Sequence, residues 1–378
     1  MGIRKGGSNL LILMLLAFII LWVPEVCEAA SDSNLCINQV ESKLPDVTLF
    51  VRWDNIDMDS AKLKKKNLSI KINDTSTQIT DIRPVKNENG VTENTAYLVL
   101  VDTSVSMQNQ NQLSELHILL EKLFDSGGPN DKTAVFGVSN KLETLKDFMV
   151  NDSSQSVINN IRNAISSGSG TGTYLYSGIR EAYDKGRTAK DIPTRRIVVL
   201  ITDGGVDGDC LSSEDIKKYL DVDRLPVYNL ILNDQSSIDE EFKNSADQIA
   251  QKTGGQSFIS TSGNELFTQF ESSIEKCSVI KLRCDNFKAV NLQAVITVAL
   301  KGDQGEIRQA AKFTAALAPV AMEPGQTVAN NKQELRTSYF GVAVILITIM
   351  LILLILLALL WLLMNNKRRK QENNETQL

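Results

Sequence analysis

Between residues 95 and 277, short apolar runs and amphipathic segments take turns, and this alternation restricts the fold more than any other feature of the chain. Residues 97–101 and 197–201 are continuous apolar runs, the pattern of strands buried on both faces. Further strands are expected at 133–138, 227–232 and 257–259. Between them, apolar residues recur at helical spacing over 113–124, 157–165, 175–183 and 262–277, and Ser212-Ser213-Glu214 caps a helix that runs to Leu220. The alternation predicts an α/β fold: a doubly wound, mostly parallel sheet with helices on both faces. The segment is long enough to bury a full core of its own.

The flanks are patterned differently. Residues 47–51, 68–72 and 79–85 read as strands around the turn pair Asn73-Asp74, and the lysine-rich stretch 62–66 reads as a solvated loop or edge. Residues 279–282, 292–300 and 307–315 repeat the strand pattern around Lys301-Gly302-Asp303-Gln304-Gly305. Neither flank has strands enough for a stable sandwich. They are therefore expected to form one β-sandwich jointly, from residues 30–94 and 278–321, with the α/β block of residues 95–277 inserted.

Composition matters at the ends. The 378 residues, 43% hydrophobic with net charge −5, average to an ordinary globular protein, but two apolar runs distort that average. Residues 10–23 follow Arg4 and Lys5, are short for a membrane span and stop at Pro24 before Ala29-Ala30. That is the pattern of a secretory signal over residues 1–29, with an uncleaved anchor as the alternative. Residues 339–364 carry no charge and are long enough to cross a hydrocarbon core of ~30 Å, and Lys367-Arg368-Arg369-Lys370 behind them should stay cytoplasmic. The expected topology is single-pass type I at the cell membrane: an extracellular bulk, a polar stalk at 322–338, the span at 339–364 and a cytoplasmic tail at 365–378.

Without its ends the chain is more acidic than the whole, which argues against nucleic acid as a partner and suits a cation site. Export permits disulfides, and Cys36, Cys210, Cys277 and Cys284 can pair in three ways that sequence does not separate. The single histidine, His117, falls at helical spacing from Leu113 and Leu120 and reads as a packing residue, so a His-dependent catalytic triad is not expected. Oligomeric state is left open.

In open α/β sheets, ligands bind beyond the carboxyl ends of the strands, where strand order reverses. The first strand of the block ends in Asp102-Thr103-Ser104-Val105-Ser106. Side chains at i, i+2 and i+4 of extended chain point the same way, so Asp102, Ser104 and Ser106 converge. A later strand ends in Thr202-Asp203-Gly204, and in strand order 3-2-1-4-5-6 the first and fourth strands are neighbours, which brings Asp203 to Asp102. Facing carboxylates repel unless protonated or bridged by a cation. Carboxylate and hydroxyl oxygens are hard ligands, which favour Mg2+, Ca2+ or Mn2+ over zinc or copper.

At this point the block resembles the von Willebrand factor type A domain with a metal-ion-dependent adhesion site. The family pattern is D-x-S-x-S, a Thr in a Gly-containing loop and an Asp in a T-D-G turn. It is matched by Asp102, Ser104 and Ser106, by Thr173 in Gly172-Thr173-Tyr174-Leu175-Tyr176-Ser177-Gly178, and by Asp203 in Thr202-Asp203-Gly204. Pro129-Asn130-Asp131-Lys132-Thr133 is similar to the family's entry to its second strand. The resemblance implies that Ser104, Ser106 and Thr173 ligate the ion directly or nearly so, that Asp102 and Asp203 assist directly or through water, and that a partner's Glu or Asp completes the shell. It also implies that movement of the last helix couples coordination to affinity. Val105 stands where many members have Gly. Thr171 is an alternative to Thr173, whose spacing to Leu175 and Gly178 fits better. Asp207 and Asp209 could form a second calcium site, although a solvated acidic turn is the simpler reading.

The function expected is a cell-surface, metal-dependent protein-binding or adhesion module, not an enzyme. An alternative keeps the site but moves the partner into the same membrane, making the chain an accessory or assembly subunit of a membrane or envelope complex. A Mg-dependent hydrolase fits less well: dehalogenase-like phosphatases need Asp-x-Asp at the first strand end, where this chain has Ser104.

Overall fold

The N-terminal flank forms β1 (Leu35–Lys43), β2 (Asp46–Trp53), β3 (Leu68–Ile72), β4 (Thr75–Ser76) and β5 (Gln78–Pro84) in the computed structural model. That structure describes residues 35–54, 65–86, 93–149, 154–167, 172–285, 293–302 and 305–316. The expected signal, stalk, membrane span and tail lie outside the described residues, as does Thr171. Among the described residues no helix is long and apolar enough to cross a membrane.

The C-terminal flank adds β12 (Cys277–Arg283), β13 (Gln293–Gly302) and β14 (Gly305–Thr314). The flanks combine into two antiparallel four-stranded sheets, ordered β1-β2-β12-β5 and β14-β13-β3-β4, so each sheet draws on both ends of the chain. Period-two patterning explains the stacking: Leu68, Ile70 and Ile72 of β3 and Ile296, Val298 and Leu300 of β13 face Val47, Leu49, Val51 and Trp53 of β2 in one core.

The central block supplies β6 (Thr95–Asp102), α1 (Gln110–Asp125), β7 (Lys132–Val138), β8 (Leu142–Met149), α2 (Ser154–Ser167), α3 (Leu175–Thr188), β9 (Arg195–Thr202), α4 (Ser213–Tyr219), β10 (Val227–Leu232), α5 (Glu240–Thr253), β11 (Ser257–Ser260) and α6 (Gly263–Glu275). Its sheet runs β11-β10-β9-β6-β7-β8, the anticipated 3-2-1-4-5-6 order read from the other edge, and is parallel except for β8. Leu98 and Leu100 of β6 pack under α3, α4 and α5, while Val99 and Val101 pack under α1, α2 and α6. A strand covered on both faces must be apolar throughout, which is why 97–101 has no alternation. On α1, His117 lies 3.4 Å from Glu121, one turn away.

Four of these elements are absent from the sequence reading: β1, whose Asn38, Gln39 and Glu41 dilute its apolar signal, the two-residue β4, the lysine-bearing edge strand β8, and α5. The last helix is also shorter than anticipated. It ends at Glu275 because Cys277 is already paired in the sandwich, opposite Arg52.

The sandwich seals the amino ends of the central strands. Arg52 of β2, buried, donates to the carbonyls of Gly254 and Gly255 at the end of α5 (2.8 and 3.3 Å), and Arg195 at the start of β9 donates to the Ile274 carbonyl at the end of α6 (2.9 Å). Each guanidinium thus meets the negative end of a helix. Gln39 of β1 donates to the Thr194 carbonyl (2.7 Å) and accepts from the Arg196 N–H (2.9 Å). The approach is close: at Gly254, where φ is +87°, a Cβ would lie 2.8 Å from the Ile37 carbonyl oxygen.

A second attachment lies after α4. The Asp223 carboxylate accepts from the N–H and hydroxyl of Thr314, and the Asp223 N–H donates to the Lys312 carbonyl (3.1 Å). Asp221 pairs with Lys252 (2.8 Å) and Lys312; burial alone would raise its pKa, but the two ammonium groups hold it at about 2.

The four described cysteines are free thiols. Cys36 and Cys277 face Arg52 from opposite sides. Two strand spacings of ~4.8 Å put them beyond the ~7 Å Cα reach of a disulfide.

Candidate metal centre

β6 and β9 are adjacent and end at the same level, so the residues that follow them meet. Asp102 closes β6. Its Oδ1 accepts from the Ser104 N–H (2.9 Å), which turns the chain back over the strand end, and its Oδ2 accepts from the Thr202 hydroxyl (2.7 Å) at the end of β9. Thr202 Oγ1 in turn accepts from the Gly204 N–H (3.1 Å), where φ of +94° calls for glycine directly after Asp203.

Beyond Ser104 the chain forms a short 3-10 turn, Val105–Gln108, anchored by the buried Met107. This turn lays Ser106 beside Ser104 with their hydroxyls 2.9 Å apart, and the Ser106 hydroxyl hydrogen-bonds the Asp203 carboxylate. Asp102, Ser104, Ser106 and Asp203 therefore form one hydrogen-bonded group, as their strand-end positions require.

Thr173 joins through its backbone. Its N–H donates to the Asp207 carbonyl (2.8 Å) and its carbonyl accepts from the Asp207 N–H (3.3 Å), which ties the Thr173 loop to the loop that begins at Asp203. Among the described residues no hydrogen bond links the Thr173 side chain to the other four.

Two supporting residues escape the sequence reading. Thr103 donates its N–H and hydroxyl to the Val138 carbonyl (2.8 and 3.2 Å), and the Asn233 amide donates to the Asp203 carbonyl (2.6 Å). Asn233 follows β10 directly, so the strand-end rule that finds Asp102 and Asp203 applies to it as well. Asp209 braces the neighbouring helix. Its carboxylate accepts from the Ser177 N–H (3.0 Å) and hydroxyl (2.6 Å) in the first turn of α3 and from the Leu211 N–H (3.0 Å).

Asp102 is 1% exposed and Asp203 is also buried, yet among the described residues neither has an ion pair with Lys or Arg. Burial pushes the Asp102 carboxyl up to about 6 against the hydrogen bonds from Ser104 and Thr202, and the charge of Asp203 adds to the rise. Burial raises Asp203 too, with the Ser106 hydroxyl opposing it. The described residues contain no group of three or more His, Cys, Asp or Glu placed to hold an ion. What they offer is the carboxylates of Asp102 and Asp203 and the hydroxyls of Ser104 and Ser106, with the Thr173 loop tied alongside through its backbone, a donor set that fits a small hard divalent cation with positions to spare. Bound there, such a cation would supply a concentrated positive charge.

Residues 97–206 match the family model of the von Willebrand factor type A domain. The central block therefore has a von Willebrand factor type A-like α/β fold. In this chain a mostly parallel sheet lies between helices, and the flanking segments, outside the matched residues, add two antiparallel sheets. Among solved structures, the chain is similar to the von Willebrand factor type A protein from Catenulispora acidiphila (10% identity, 77% of this chain and 76% of that one, TM-score 0.39). It is also similar to the ArnB paralog VWA2 from Sulfolobus acidocaldarius (15% identity, 75% and 74%, TM-score 0.37). A third is proximal thread matrix protein 1 from the mussel byssus, described with a zinc-occupied MIDAS motif (18% identity, 48% of each chain, TM-score 0.37). No curated protein matches the chain.

Proposed function

We propose that the chain is a surface-displayed, non-enzymatic binding module that holds an aspartate or glutamate of a protein partner through a divalent cation, Mg2+ first, with Ca2+ and Mn2+ as the other hard candidates. The observation that carries this reading is the pair Asp102 and Asp203, buried side by side with hydroxyl and backbone N–H donors about them and, among the described residues, no basic side chain paired with them. In this reading Ser104, Ser106 and Thr173 ligate the ion and Asp102 and Asp203 act on it directly or through water, as a metal-ion-dependent adhesion site. So few protein oxygens leave a coordination position for the partner's carboxylate.

Residues 1–29 direct export, 30–94 and 278–321 build the sandwich around the domain at 95–277, and 322–338 form a stalk. Residues 339–364 anchor the chain by a single span, and 365–378 stay in the cytoplasm. Crosslinking on intact cells tests the reading. Partner adducts should form with Mg2+ present and disappear with EDTA, in Asp102→Ala and in Ser104→Ala; adducts undiminished by EDTA overturn it.

A further inference from the structure

Outside the metal centre, the strongest feature is the outer face of the sheet β14-β13-β3. On β13, Ile296, Val298 and Leu300 point into the core, so Thr297, Ala299 and Lys301 lie on the other face, where Ala299 is itself buried, Thr297 half-buried and Lys301 exposed. The register places Lys71 of β3 opposite Thr297, Arg308 of β14 opposite Ala299, Glu306 opposite Lys301 and Lys312 opposite Val295. Lys71, Lys301, Arg308 and Lys312 are exposed on this face, and Lys66 is exposed in the turn that leads into β3.

Among the described residues the acids there are fewer: Glu306 on β14, Asp74 in the turn after β3, and Asp221 and Asp223 of the central block against Lys312 and Thr314. Arg308, Lys301 and Lys71 all act on the single carboxylate of Glu306, which they hold below its ordinary range, and Lys312 shares Asp221 with Lys252. The face therefore keeps a surplus of positive charge. In the α/β domain the balance is opposite, since acidic side chains outnumber basic ones between residues 93 and 277. Such a molecule is strongly polarised, and near an anionic surface it would turn its basic face inward.

The path of the chain names that surface. β14 is the last strand described, and the chain leaves it at Ala316, held against β1 by the Leu44 N–H (2.8 Å). Residues 317–338 then lead to the apolar run at 339–364 and can span at most about 75 Å. We infer that the β14-β13-β3 face docks on the anionic lipid headgroups of the membrane in which residues 339–364 are anchored. The inference rests on the anchoring proposed above. Docking would hold the sandwich against the bilayer and leave the carboxyl ends of the central strands, with Asp102 and Asp203, on the part of the molecule that is not held.

The test uses the full chain reconstituted into vesicles of phosphatidylcholine with and without phosphatidylglycerol. Cys210, the exposed thiol among the four described cysteines, is replaced by serine, and Ser69→Cys carries a fluorophore at the centre of the face, read by energy transfer to a headgroup acceptor. Transfer should appear with phosphatidylglycerol and fade as salt shortens the screening length. In K71E/K301E/R308E the ratio of docked to free molecules should fall about 100-fold, from ~1 kcal/mol for each basic side chain. Equal transfer in both lipids, or no change in the triple variant, overturns the inference. A response to soluble polyphosphate without one to phosphatidylglycerol also overturns it, and assigns the face to soluble polyanions. Anchoring is read separately by carbonate extraction: an extractable chain refutes the span, while the lipid dependence of the label still decides the face.

Discussion

The two ends of the central sheet solve opposite electrostatic problems. At the amino ends, buried Arg52 and Arg195 find the carbonyls of Gly254, Gly255 and Ile274 at helix C-termini, and the sandwich closes over them. At the carboxyl ends, the buried carboxylates of Asp102 and Asp203 find hydroxyl and backbone N–H donors, and among the described residues no basic side chain pairs with them. The positive charge is satisfied from within the fold, and the negative charge is the one that the proposed function pairs with a cation from outside. One sheet thus separates the end that holds the molecule together from the end proposed above to bind.

The contrast can be broken most severely at the closed end. Arg52→Ala should destabilise the fold by about 3 kcal/mol, because carbonyls and Asp54 lose a buried charged donor. Denaturant midpoints measure this, and an unchanged midpoint would mean that the junction is incidental. At the open end, Asp102→Ala should weaken Mn2+ binding about 100-fold, or about 2.7 kcal/mol, as read by electron paramagnetic resonance. The denaturant midpoint in EDTA should not fall, since the substitution removes a buried carboxylate without a counter-ion; a collapse there would move Asp102 to the structural side of the comparison.

A smaller effect tests the attachment after α4. The folded pKa of Asp221 lies near 2, below its unfolded value of about 4, so its contribution is present above pH 4 and is lost as pH falls from 4 to 2. Wild type should lose about 1 kcal/mol more than Asp221→Asn over that window, because its lysine partners are partly exposed. Parallel stability profiles for the two proteins would exclude the ion pairs as a clasp. Least of all should change in Val105→Ala: its side chain is 52% exposed between Ser104 and Ser106, and both stability and Mn2+ affinity should stay within about 0.5 kcal/mol.

What sequence reveals follows from the same division. Strands covered on both faces must be apolar, so β6, β9 and β10 are plain in the sequence, and with them the strand ends that carry Asp102 and Asp203. β1 is hidden because Asn38 and Gln39 serve a partner surface made by residues far away, and a local pattern cannot reveal a distant hydrogen bond. β8 is an edge strand with one open side, where Lys146 and Asp147 dilute the alternation. α5 does carry local signals, since Asp239 caps its first turn and Gly254 ends it. The meeting of Ser104, Ser106 and Asp203 follows from strand order, whereas the Asn233 contact depends on a loop whose path no periodicity encodes.

The join between α6 and β12 has a mechanical consequence. Only Lys276 separates the helix from the strand, and β12 is paired on both sides, with β2 and with β5. A helix advances by ~5.4 Å per turn, whereas a strand that must keep its faces can slip only two residues at a time, ~6.7 Å. The two pitches do not mesh. A shift that suits the helix leaves the strand out of register, and one that suits the strand leaves the helix between turns, so α6 and β12 behave as one strut fastened at the sandwich.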